Sequence, residues 1–312
     1  MLKTLLAASS PAGAASRLNV LIFHRVLLEP DGLFPEEMHA RRFDLVCGWL
    51  ASWFNAIPLD QAITQLRAGT LPARSACITF DDGYADNHDV AVPILRQHGL
   101  PATFFIATDF VDGGRMWNDT VIECIRRSGL QQLDLGQHGQ FPIATLEDKK
   151  RAIDSVIRRI KYLPSAERRE ATDQIVQSTG VQPPDDLMMT SAQVKAMRHA
   201  GMQIGAHTRS HPILARLDDG QARAEIKGSK DFLESLLGER VGLFAYPNGR
   251  QVEDYSAATV NLVRELGFDA AVSTNWGAAR SGADLFQIPR FTPWDKGQFR
   301  FGARLLRNLW QS

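Results

Sequence analysis

Two short stretches hold the residue types that could do chemistry. The first is Ile78-Thr79-Phe80-Asp81-Asp82-Gly83-Tyr84. An apolar run, Ala76-Cys77-Ile78-Thr79-Phe80, stops at two adjacent carboxylates and a glycine. A run of that length bounded by turn residues reads as a buried strand. Acids at the mouth of such a strand are costly unless something balances them. Successive strand residues point to opposite faces, so Asp81 and Asp82 suit different tasks. One can hold a metal while the other stays free to move a proton. Gly83 lets the chain turn sharply after them. A plainer reading stands beside this one, with Asp82-Gly83 as a turn and Asp81 as the cap of the next helix. The second stretch is Ile204-Gly205-Ala206-His207-Thr208-Arg209-Ser210-His211-Pro212. Its histidines are four apart, a spacing that would share one face of a helix. Pro212 disfavours helix at His211, and Gly205 argues against a helix before it. His207 therefore belongs at a strand end and His211 in the loop that follows. A histidine pair in a polar loop is ordinarily solvated surface. One strand end of acids and another of histidines, however, together offer the donors of a divalent metal site.

The elements that must position these residues alternate. Strands are expected at 19–23, ending in His24, at 76–80, at 102–107, at 204–207, at 243–246 and at 270–274. Between them the apolar spacing predicts helices over 41–54, 60–68, 86–98, 188–200, 222–237 and 259–267, with a last amphipathic helix over 298–309. Pro93 makes the 86–98 helix start late or kink. Strand and helix in alternation argue for a parallel sheet. Residues 115–190 break the rhythm: helical patterning over 120–127, a polar loop over 128–143, then helices over 146–162 and 165–178. This stretch reads as a helical insertion. Its basic residues, Lys149, Lys150, Arg151, Arg158, Arg159 and Lys161, read as a solvated helix face, with the gripping of an anionic ligand as the alternative.

The "TFDDG" of 79–83 and the "HTRSHP" of 207–212 resemble the first two motifs of the polysaccharide deacetylase family, carbohydrate esterase family 4. Their surroundings, "ITFDDGYADN", "LPATFFIAT" and "GMQIGAHTRSHPIL", match as well, and the resemblance spans roughly 18–295. It implies an α/β fold, a distorted (β/α) barrel with the helical insertion, whose active residues sit at the carboxyl ends of the strands. It implies one divalent metal, zinc by its mixed N/O ligands, with cobalt, nickel or manganese able to substitute. Asp82, His207 and His211 would hold that metal, and Asp81 would be the general base. His24 ends a strand that relatives also end in His, which makes it a candidate catalytic residue; the alternative is a histidine satisfied by the backbone. Leu243-Phe244-Ala245-Tyr246-Pro247-Asn248-Gly249 looks like the third motif, so Tyr246 and Pro247 would line the substrate site. Trp276 could cover a sugar face or merely close the barrel. Two departures matter. Ala245 stands where many relatives have the arginine that pairs with the catalytic aspartate, and Arg290, at another strand end, is the expected replacement, with Arg250 as the weaker alternative. No histidine follows His211, so the usual carboxyl-terminal general acid is missing.

Composition bounds the rest. The chain has 312 residues, with 35 basic and 35 acidic side chains and no net charge, which argues against a nucleic-acid partner. Its three cysteines form neither a metal-spaced cluster nor a disulfide framework. No apolar run approaches a membrane span. Residues 1–17 form a weak sketch of a secretory signal. The reading adopted is an uncleaved segment on a cytoplasmic protein, a periplasmic location being the alternative, followed by one deacetylase-like domain over 18–312. The expected reaction is removal of N-acetyl groups from amino sugars of a polysaccharide or oligosaccharide. O-deacetylation, another C–N amidohydrolase activity, and glycan binding by a degenerate site are the alternatives.

Overall fold

A computed structural model describes residues 2–311. Ten strands occur among them: β1 (Arg17–Phe23), β2 (Asn55–Ala56), β3 (Ser75–Phe80), β4 (Thr103–Ile106), β5 (Gln132–Asp134), β6 (Gln140–Pro142), β7 (Gln203–Ala206), β8 (Leu243–Ala245), β9 (Ala270–Val272) and β10 (Ala279–Arg280). The main sheet runs β10-β1-β3-β4-β7-β8-β9, with β2 paired to the start of β3. From β1 to β9 all neighbours are parallel, and β10 joins β1 antiparallel. Residues 288–291 then bridge β9 to β1: Ile288 pairs with Val272, and Phe291 with Leu21. That strip closes the sheet into the distorted barrel.

Period-two alternation decides which side chains enter the barrel. Leu18, Val20, Cys77, Phe105, Leu243, Ala245, Val272 and Ile288 form one buried cluster inside it. Their strand neighbours Leu21, Ile78, Phe80, Phe104 and Phe244 face the other way, into the layer beneath the helices. On β3 the inward series is Cys77, Thr79, Asp81. The acid that ends the strand therefore inherits an interior direction.

Helices cover the outer layer at Ala40–Trp53, Val92–Gln97, Ser191–His199, Asp219–Leu237, Ala257–Glu265 and Gln298–Asn308, while Leu59–Ala68 sets Leu59, Ala62, Ile63 and Leu66 against the interior cluster. The expected kink at Pro93 is resolved as a π-helical turn, Asn87–Ala91, ahead of a regular helix with the proline in its first turn, where its missing N–H does no harm. At the amino terminus Leu2–Ser9 is a helix whose Leu6 is fully buried in the core, packed near the last helix.

The insertion carries its own core. Helices Trp117–Arg127, Leu146–Ile160 and Ser165–Thr179 bury Val121, Ile125, Ile153, Val156 and Ile175 together. The stretch read as a polar loop contains a short hairpin, β5 with β6. Only Leu133 and Phe141 of those strands point inward, too few apolar positions for an alternation to be legible. No helix among the described residues is long and apolar enough to cross a membrane.

Candidate active site

Asp81 lies at the carboxyl end of β3, almost fully buried, its N–H held by the Phe23 carbonyl at 3.0 Å. Its carboxylate receives a two-pronged hydrogen bond from Arg290: Nη1 to Oδ1 and Nη2 to Oδ2, both 2.7 Å. Arg290 is itself 1 % exposed. Its Nε donates to the Ser273 carbonyl at 2.8 Å, and Nη1 also reaches Thr79 Oγ1 at 3.2 Å. The strip that closes the barrel thus delivers the arginine that position 245 lacks, as expected. Burial pushes the Asp81 carboxyl up, but the charge and hydrogen bonds of Arg290, helped by His207, hold it below the usual carboxylate range.

Asp82 leaves the strand with φ +76°, a left-handed conformation that a non-glycine residue adopts only when its surroundings impose it. Thr208, His211 and Asn248 around the same cleft also have positive φ, 64°, 54° and 58°. The Asp82 Oδ1 atom is buried and receives no hydrogen bond. It lies 3.5 Å from His207 Nε2 and 3.4 Å from His211 Nε2. Two ligands bound at about 2.1 Å to one tetrahedral centre are about 3.4 Å apart. The spacing of these donors therefore suits a zinc-sized ion, and Asp82, His207 and His211 are the described residues whose donor atoms cluster in this way.

Neighbouring groups prepare the histidines. His207 Nδ1 sits 2.7 Å from the Ala245 carbonyl, which places the ring proton on Nδ1 and turns Nε2 toward Asp82. Burial pushes His207 down, but Asp81 and Asp82 push it further up. That extra proton and a cation are alternatives for the same space. Burial takes His211 down to about 4, with His207 adding to the effect, so its imidazole is neutral at neutral pH, as a ligand must be. The intervening loop is pinned by Glu225. Its Oε2 accepts from the N–H of Arg209 and of Ser210 at 2.9 Å each, and its Oε1 accepts from Ser210 Oγ at 2.7 Å.

These groups line a cavity of about 300 Å³ together with His24, Trp117, Asn248 and Thr274. His24, Asp82 and Asn118 also border a second cavity of about 500 Å³, which extends past Arg25, Tyr84 and Trp294. The two adjoin at His24, Asp82 and Asn118, with Asp81, His207 and His211 on the side of the smaller one.

The family model for polysaccharide deacetylase matches residues 68–271. This chain belongs to the polysaccharide deacetylase family. Its membership makes it a hydrolase acting on carbon–nitrogen bonds other than peptide bonds. YxkH of Bacillus subtilis (strain 168), provisionally named a polysaccharide deacetylase, is 21% identical over 277 residues, covering 88% of this chain and 71% of its own. Among solved structures, the deacetylase PplD of Streptococcus pyogenes, in complex with acetate, superposes with a TM-score of 0.62 at 19% identity, covering 94% of this chain and 98% of that one. IcaB from Ammonifex degensii gives 0.61 at 20% identity, covering 94% and 97%. At such identities the likeness establishes the shared fold, the distorted barrel of these deacetylases.

Within this family member the sequence expectations meet the geometry unevenly. Asp81 with Arg290, and Asp82 with His207 and His211, are brought together as read. His24 is where the two cavities adjoin, solvent-exposed on its side chain, while its carbonyl accepts from Asn87 Nδ2 at 2.8 Å. Tyr246 does not line the site. Its ring is fully buried in the outer layer, stacked on Tyr255 at 3.9 Å, and its hydroxyl donates to the Phe286 carbonyl. Its N–H is also committed, to the Val272 carbonyl at 3.2 Å. The reason is the alternation that puts Ala245 inside and Tyr246 outside. Pro247 is buried beside it and has no N–H to offer. Asn248 follows; it borders the cleft, and its N–H donates to no described group. Trp276 packs edge-on against Phe291 and against Trp294, and it is Trp294 that borders the larger cavity.

Asp119 was not singled out by the sequence. It is 4 % exposed, borders the larger cavity, and accepts from the Tyr84 hydroxyl at 3.1 and 3.2 Å. In sequence it is one more acid in a helix's first turn, a common position with a generic explanation.

Proposed function

We propose that this chain removes N-acetyl groups from an amino sugar of a polysaccharide or oligosaccharide, using one divalent cation, zinc by its donor set. The observation that carries this reading is the convergence of three acceptors, Asp82 Oδ1 and two imidazole Nε2 atoms, with no donor between them, beside the Asp81–Arg290 pair. A bound cation would lower the pKa of a water and polarise the acetyl carbonyl. Asp81, kept ionised by Arg290, takes the proton from the attacking water. The free N–H of Asn248 is placed to donate to the oxygen on which charge develops. His24, exposed at the junction of the two cavities, hands a proton to the departing amine in place of the missing carboxyl-terminal histidine. The products are acetate and a free amino sugar.

Acetate release from N-acetylglucosamine oligomers, on chelator-stripped protein with and without added zinc, tests this directly. Release that requires the metal and is lost in Asp81→Asn supports the reading. Metal binding without release from any N-acetylated sugar would overturn the substrate, and release without metal would overturn the role of Asp82, His207 and His211.

A further inference from the structure

Beside the catalytic cleft lies a cavity of about 480 Å³ bordered by Lys161, Arg168 and Arg216, with no aspartate or glutamate among its lining residues. It shares Lys161, Arg168 and Ile213 with the cleft that holds Asp82 and the two histidines. The chain as a whole is electrically neutral, so three cations converging here is a local arrangement.

Cations elsewhere near the cleft are matched. Arg25 pairs with Asp86, Arg126 with Asp31, and Arg209 with Asp109. Lys161, Arg168 and Arg216 make no ion pair with a described carboxylate. Arg168 Nη1 donates to the Lys161 carbonyl at 3.1 Å, which fixes the two side by side, and its guanidinium sits 5.2 Å over the Trp117 ring. Lys161 Nζ and the Arg216 guanidinium lie 5.5 and 5.9 Å over the Tyr162 ring. Asp254, whose carboxyl is raised by burial with Lys161 among the groups opposing the rise, is buried outside the cavity lining and accepts the Arg250 N–H at 2.9 Å. Like charges gathered on aromatic faces with no carboxylate in ion-pair contact repel one another, and an anion relieves that repulsion.

We propose that the insertion and the loop after His211 together build an oxyanion subsite, so that the N-acetylated sugar acted upon carries an acidic group, phosphate or carboxylate. This rests on the deacetylase reading for the identity of the sugar, and the subsite itself rests on the cations. Arg168 and Arg216 present forked donors that suit either oxyanion, and Lys161 adds a point charge. A neutral chitin-like chain leaves all three unmatched.

Calorimetric titration of the zinc-loaded protein separates the possibilities. The probes are N-acetylglucosamine, N-acetylglucosamine 1-phosphate and N-acetylglucosaminuronic acid, applied to the wild type and to the Lys161→Gln/Arg168→Gln/Arg216→Gln protein. One charge-assisted hydrogen bond corresponds to about tenfold or more in affinity. The wild type should therefore bind at least one acidic sugar about tenfold more tightly than the neutral one, with the advantage shrinking as salt is added, and the substituted protein should show no advantage. A preference for the phosphate alone identifies phosphate as the group; a preference for the uronate alone identifies carboxylate. Equal affinity for all three probes overturns the proposal. So does a preference that survives the substitutions, since the phosphate would then be binding the zinc. Should the triple variant fail to fold by circular dichroism, Arg216→Gln, altered at an exposed side chain, must still reduce the preference. Binding is read without turnover, so a protein that prefers acidic sugars yet releases no acetate overturns the deacetylase reading and leaves the subsite standing.

Discussion

Arg290 replaces, for Asp81, the water that an exposed carboxylate would have. Both side chains are buried and joined by two short hydrogen bonds, so neither charge can be removed alone without stranding the other. Breaking a buried pair by deleting one partner typically costs about 3–5 kcal/mol. Arg290→Met should lower the unfolding free energy by about that amount in a urea titration. It should also raise the Asp81 pKa, because burial is then opposed only by the neighbouring histidines. The sign follows for the native pair. A carboxyl depressed in the folded state contributes stability that is present above its unfolded pKa and lost as the pH falls through the folded one. Stability should accordingly fall less on acidification in Arg290→Met than in the wild type, and an unchanged acid limb would show that the pair is not coupled to folding. The two adjacent acids should separate cleanly in another experiment. Asp82→Ala should reduce bound zinc, measured by mass spectrometry of the metal, to background, while Asp81→Asn should retain the metal and lose acetate release by about 100-fold or more. A metal-free Asp81→Asn would mean that Asp81 is a ligand and the roles are reversed.

At the scale of elements, close approach between strands places the histidines. Gly205 sits on β7 where an added Cβ would meet the Phe105 ring on β4 at 2.5 Å and the Leu243 carbonyl on β8 at 3.1 Å. Neither neighbour can retreat, since the ring fills the barrel interior and the carbonyl belongs to the adjoining strand. Gly205→Ala should therefore destabilise by about 1–3 kcal/mol, as overpacking does. Because His207 is two residues on, it should also weaken zinc affinity; thermal unfolding with and without zinc reads both effects, and a variant of normal stability would place the strands farther apart than they lie here. The same strands show what a sequence does and does not disclose. Asp81, Asp82, His207 and His211 were legible because apolar runs that end in donors state both position and chemistry. Arg290 was legible as a strand-end cation answering an absent one at position 245. Tyr246 was misplaced although the alternation through Leu243 and Ala245 already set it on the outer face. The β5–β6 hairpin was not legible, having a single buried residue per strand. Asp119 and the trio Lys161, Arg168 and Arg216 were not legible as groups, because their members meet only after the insertion folds back on the barrel, and no local pattern encodes that contact.

The molecule as a whole joins a barrel to an insertion across a seam that is partly apolar, where Leu33 enters the insertion's core and Tyr84 packs with Met116 and Met188, and partly polar. Tyr84, two residues beyond the metal-facing Asp82, donates to Asp119 on the insertion, and the Arg25 guanidinium lies 4.6 Å over the Tyr84 ring. Burial raises the Asp119 carboxyl to about 7, with Asp82 and Glu123 adding to the rise and Arg25 and the Tyr84 hydroxyl opposing it. The folded protein consequently keeps a proton on Asp119 at pH values where the unfolded chain has released it. A group with its folded pKa raised in this way contributes stability that is fully present below its unfolded pKa and is lost progressively as the pH rises through about 7. Stability measured by denaturant from about pH 5 to about pH 8 should decline in the wild type, and the decline should be shallower in Asp119→Asn, which keeps the shape and cannot ionise. Zinc should flatten the wild-type profile as well, because neutralising Asp82 removes one of the charges that keep Asp119 protonated. A parallel pair of profiles would mean that the seam holds a carboxylate already ionised at pH 5 and that Arg25, not a proton, is its partner.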